Sequence, residues 1–79
     1  MPVNEEKLDE MVLALLHLTT FEDHGVVRAW KGHDWDALNR LYAKGFISDP
    51  RSKAKSVVLS DGAVQRSKEL FTSLFEKQA

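Results

Sequence analysis

Asn39, Arg40 and Lys44 fall within one short stretch, and Arg51, Lys53 and Lys55 follow a few residues later. Asparagine and arginine can read base edges through paired hydrogen bonds, and lysine and arginine neutralise phosphates. The expected chemistry is contact with double-stranded DNA, with these six side chains as the candidate binding residues. Asp34 and Asp36 oppose that reading, because they precede Asn39 at the helix end that would face a groove, where carboxylates repel phosphate. A protein–protein adaptor with no DNA binding is the alternative.

Other chemistries find less support. Glu22, Asp23, His24, His33 and Asp34 are metal-ligand types, but none has the spacing of a helical His-x-x-x-His pair or a Cys/His knuckle. Turn and cap roles explain them better, so neither metal nor cofactor is expected. Ser60 and Ser67 have no accompanying His and acid, which leaves nucleophilic catalysis without its base. No small-molecule substrate is evident. His17 belongs on the margin of the first helix, as an exposed or interface residue. Trp30 and Trp35 flank a strand–helix turn, where core packing is the commoner fate of an indole and base stacking the alternative.

These residues need elements to hold them. Asn4 is a good N-cap, Glu5 and Glu6 suit a first helical turn, and Leu8, Met11, Val12, Leu15 and Leu16 recur at helical spacing over 4–20. With Leu13 and Leu18 the apolar arc is about 220° wide, against roughly 100° for an ordinary surface helix. That helix must be covered on two sides, and a second copy of the chain is the expected cover. Glu22-Asp23-His24-Gly25 reads as a turn or helix exit, and Val26 to Lys31 as a short strand. Asp34 caps a helix over 34–44 whose expected inward face is Trp35, Leu38, Leu41 and Tyr42, and Lys44-Gly45 stops it. A hairpin over 46–60 turns at Asp49-Pro50. Ser60 or Asp61 then caps a helix over 61–77, with Val64, Leu70, Phe71, Leu74 and Phe75 as its apolar face.

Seventy-nine residues without cysteine bury only roughly 60% of their unfolded surface, as one domain over 1–79 with no disulfide to assist it. Such a chain gains stability from a partner subunit, and a homodimer through the first and last helices is expected. The acidic amino terminus is unlike a secretory signal, and the apolar run Met11–Leu16 is too short for a bilayer. A cytoplasmic, membrane-free protein is the expectation. Formal net charge is −1, but residues 1–27 hold one base and six acids, and residues 28–55 seven bases and three acids. The basic middle could orient the chain on a polyanion.

Leu38-Asn39-Arg40-Leu41-Tyr42-Ala43-Lys44-Gly45-Phe46-Ile47, followed by Val57-Val58-Leu59-Ser60-Asp61-Gly62, resembles the winged-helix regulators of the MarR and PadR type. The resemblance covers about residues 34–75. It implies an α+β, winged-helix-like fold of order α-β-α-β-β-α with a small antiparallel sheet, and a DNA-binding role. Upstream the pattern differs, since residues 19–33 leave little room for the extra helix of a full helix-turn-helix. Over the whole chain, Arg28-Ala29-Trp30-Lys31-Gly32, Asp34 to Leu41 and Ser56-Val57-Val58-Leu59 are similar to a family of short bacterial proteins catalogued only as a domain of unknown function. That likeness brings no activity, cofactor or site with it.

Overall fold

A computed structural model describes residues 3–76. Helix α1 spans Glu5–Leu18. Asn4 caps it by accepting from the Lys7 N–H at 3.1 Å. It ends where the Thr19 and Thr20 hydroxyls donate to the carbonyls of Leu16 and His17. Strand β1, Thr20–Asp23, follows at once, running through Glu22 and Asp23, where a turn or helix exit is expected. His24 and Gly25 both have positive φ (51° and 84°), forming a two-residue loop of the mirror-image kind that matches strand twist. The chain returns as β2, Val26–Trp30, with Asp23 opposite Val26 and Phe21 opposite Arg28.

Helix α2, Trp35–Ala43, starts at Asp34, whose carboxylate accepts from the Ala37 N–H at 3.1 Å. At its other end the Gly45 N–H donates to Tyr42 O and the Phe46 N–H to Leu41 O, at 2.9 and 3.0 Å. Gly45, at φ +81°, makes that double closure possible. The expected hairpin over 46–60 is present in reduced form. Only its second side is a strand, β3, Ser56–Val58. The first side contributes a single bridge, Ile47 to Leu59, reinforced by Val58 N–H donating to Ser48 Oγ at 2.8 Å. Pro50, which has no N–H, ends further pairing. Helix α3, Asp61–Phe75, is capped by Ser60. It stops at Phe75, short of the expected 77, because Glu76 is already extended; Lys77 lies outside the described residues.

The result is an α+β fold of three helices and a three-stranded antiparallel sheet, order β1-β2-β3, compatible with a winged-helix-like arrangement. A β-hairpin occupies residues 20–30, the stretch in which a helix-turn-helix would place its positioning helix. Leu13, Leu16, Leu38, Leu41, Val57 and Leu70 form the core, with Ala14, Ala29, Ala37 and Ala63 fully buried between them. The four alanines leave room for aliphatic side chains and none for indoles. Trp35 (54% exposed) and Tyr42 (42%) therefore stand outside, and Ala37, Leu38 and Leu41 form the inward face of α2. Trp30 is also half exposed, which corrects the expectation that the tryptophans pack in the core. Among the described residues no helix is long and apolar enough to cross a membrane.

Candidate nucleic-acid interface

The six candidate residues divide into two groups. Arg40 of α2 and Lys44, the residue that caps that helix one turn later, both point at α1. Arg40 Nε donates to both oxygens of Asp9 at 3.0 and 2.9 Å, and Nη1 reaches Glu5 at 2.9 Å. Lys44 Nζ lies 3.2 Å from Asp9 Oδ2. The Asp9 side chain is only 3% exposed. Burial alone pushes that carboxyl up, but the hydrogen bonds and charges of Arg40 and Lys44 outweigh it and hold the group below its ordinary value. The same Asp9 hydrogen bond pushes the Arg40 guanidinium up. These cations form an ionic clamp between α1 and α2. Beside the clamp a small depression is lined by Glu6, Glu10, Leu41, Lys44, Phe46 and Arg66, and Arg66 faces Glu10 at 3.6 Å.

Arg51, Lys53 and Lys55 lie together on the loop between Ile47 and β3, all exposed. Asp49 accepts from the Arg51 backbone at 2.9 Å and from its guanidinium at 3.1 and 3.2 Å. Those bonds hold the partly exposed Asp49 carboxyl below its usual range. Lys31 organises the loop from inside: its ammonium donates to Pro50 O and Ser52 O, both at 2.7 Å, and its N–H to Lys55 O at 3.2 Å. Lys53 and Lys55 have no acidic partner within bonding distance among the described residues. Asn39 is exposed on α2 and takes no part in that loop's hydrogen bonds.

A third surface adjoins the loop, and only the strand register reveals it. Ala29 and Val57, paired across β2 and β3, are fully buried on the helix side. Strand alternation then sends Phe21, Arg28, Trp30, Ser56 and Val58 to the opposite face. The Phe21 and Trp30 rings pack in a tilted arrangement, centroids 5.1 Å apart at 31°, leaving Trp30 52% exposed. Arg28 donates to Ser56 Oγ at 2.8 Å and to Ser56 O at 3.3 Å. Trp30 is paired with Ser56, next in the chain to Lys55, so this face runs directly into the basic loop. Trp35 carries the Lys31 ammonium 6.0 Å from its ring. Phe21 and Arg28 were not legible as site residues. Their signal was the His24-Gly25 loop, which sets them opposite each other.

Elsewhere, His33 is half buried and burial pushes its imidazole down. His24 Nδ1 sits 2.6 Å from Asp23. No three His, Cys, Asp or Glu side chains among the described residues converge as metal ligands. His17 packs on Phe71 at 5.3 Å, and Phe71 on Phe75 at 5.4 Å. Leu15, Leu18, Leu74 and Phe75 remain exposed near those contacts.

The chain is 48% identical over 77 residues to "Uncharacterized protein y4hR" of Sinorhizobium fredii (strain NBRC 101917 / NGR234), an alignment covering 98% of this chain and all of that one. No solved structure matches. The model of one family, described as "Domain of unknown function (DUF6429)", matches residues 4–77, and the chain belongs to that family.

Proposed function

We propose that this protein is a cytoplasmic, non-enzymatic nucleic-acid-binding module of transcription-regulator type that grips the phosphate backbone through Arg51, Lys53 and Lys55. The observation that carries this reading is the exposure of Lys53 and Lys55 on a loop braced from within by Lys31. A braced loop loses little conformational freedom when it meets a phosphate. Asn39, exposed on the adjoining helix, is the candidate reader of base edges. Arg40 and Lys44 are assigned to the clamp by the buried Asp9, whereas Arg51 pairs with a partly exposed Asp49 that a phosphate can displace.

Fluorescence anisotropy with a labelled duplex tests the proposal. Three phosphate contacts give a log–log salt slope near −2.7, so affinity should fall roughly 40-fold between 50 and 200 mM salt. Absence of duplex binding at 50 mM salt overturns it.

A second reading is favoured by one observation. Leu15 and Leu18 of α1 and Leu74 and Phe75 of α3 are 38–66% exposed, which fits a homodimeric adaptor joined through its first and last helices. Sedimentation should then give about 18 kDa, twice the 9.0 kDa of one chain. A lone 9.0 kDa species at high micromolar concentration excludes it.

A further inference from the structure

We infer that the open face of the sheet is a stacking platform for single-stranded nucleic acid, with Trp30 as the base-stacking side chain. The inference rests on one part of the nucleic-acid reading above, the phosphate contacts of the basic loop, and gives them a single-stranded ligand. Trp30 packs against Phe21 with the two ring planes tilted by 31°, which restricts the indole while the residue stays half exposed. A base laid on a restricted indole gains stacking with little further ordering of the side chain, and every base has a π-face to offer.

The charge around the ring fits the same ligand. Arg28 lies on this face, held by two hydrogen bonds to Ser56 and by no acid among the described residues. Lys55 adjoins the Trp30–Ser56 pair through the Lys31 N–H bond to its carbonyl. Lys53 follows on the same loop. The acid on this face is Asp23, opposite Val26 at the far, hairpin end, beside His24. Cations thus border the aromatic end and the carboxylate borders the other, which sets the side on which phosphates pass.

A duplex suits this face poorly, because paired bases keep their π-faces within their own stack. A splayed single strand presents bases to aromatics and phosphates to a basic rim together. On α2, Asn39 is the one candidate left to meet a groove. Asp34 and Asp36 occupy the start of α2, and Arg40 and Lys44 are committed to Asp9.

The test uses the full chain in low salt with three probes: an oligodeoxythymidylate of about 12 nucleotides, an abasic strand of equal length, and a duplex. In a Trp35→Phe background, Trp30 is the remaining tryptophan, and thymidylate should quench its fluorescence whereas the abasic strand should not. Trp30→Ala should weaken thymidylate binding about tenfold, with the salt slope unchanged; Trp30→Phe should restore most of it. Circular dichroism establishes that each variant is folded. Equal affinity for thymidylate and abasic strands, or an unaltered Trp30→Ala, overturns the platform. Duplex binding that survives either result leaves the reading above standing; thymidylate binding without duplex binding upholds the platform and overturns the duplex reading; failure of all three probes removes both.

Discussion

The clamp and the loop tip use the same residue types to opposite ends. Arg40 and Lys44 sit four residues apart on a helix packed against α1, so both reach one carboxylate, Asp9, which is 3% exposed. Arg51, Lys53 and Lys55 sit on a loop that leaves the sheet after one bridge and returns at β3. There Asp49 engages Arg51 alone. Counting cations along the chain treats the two groups alike. Packing separates them, because a cation's availability depends on what its element is pressed against. The clamp ties helices together, and the loop keeps charge at the surface.

The largest expected effect comes from breaking the clamp at its acid. Asp9→Ala removes three charge-assisted hydrogen bonds to Arg40 and Lys44 and leaves two cations facing each other. The partly exposed cations can rehydrate, so the loss should be about 2–3 kcal/mol. For a domain this small that lowers Tm by roughly 10–20 °C in a thermal melt. A change under about 3 °C would show the clamp to be a surface ion pair of little worth.

The pH profile sharpens the same point. Asp9 has its carboxyl lowered from 3.8 in the folded state. Its contribution is therefore fully present above that ordinary value and is lost as pH falls through the lower folded one. Melts recorded from pH 6 downward should stay level to about pH 4 and then drop. Asp9→Asn should start lower and drop less. Asp49 is lowered too, but it is partly exposed to solvent, so Asp49→Asn should leave the acid limb nearly intact.

Much of this architecture is legible in the chain, and what is not has identifiable causes. The caps at Asn4, Asp34 and Ser60 and the Lys44-Gly45 stop are local hydrogen-bond devices, so they place three helices within a residue or two. β1 is hidden because Glu22 and Asp23 are poor strand formers directly behind a helix, and only its partner β2 makes it a strand. The clamp is hidden for a different reason. Asp9 lies 31 and 35 residues from its partners, and no local pattern carries that pairing. The tryptophans mislead because Trp35, Leu38 and Tyr42 share helical spacing, whereas the tight approach of the elements admits Ala37 and excludes an indole.

Gly45 joins the two regions, ending α2 just after Lys44 and leading toward the loop. At φ +81° it is in the left-handed region, and a Cβ there would meet no atom within 4 Å. The cost of Gly45→Ala is thus backbone strain alone, about 1 kcal/mol, or roughly 4–8 °C in Tm. Because the clamp is anchored on the preceding turn, the acid limb of the melt should keep its shape while the whole curve shifts down. A changed limb would mean that the helix stop also positions Lys44.

The smallest effect on stability should come from Lys53→Gln with Lys55→Gln. Neither side chain has an acidic partner among the described residues, and both are exposed, so Tm should move by no more than about 2 °C. Affinity for a polyanion should respond instead. Removing two phosphate contacts flattens the log–log salt slope by about 1.8. A duplex serves as the probe, and heparin, a sulfated polyanion with no base to stack, as a control whose affinity should fall as well. A Tm loss comparable to that of Asp9→Ala would mean that the loop cations, like those of the clamp, serve the fold; an unaltered slope would mean that they meet no polyanion.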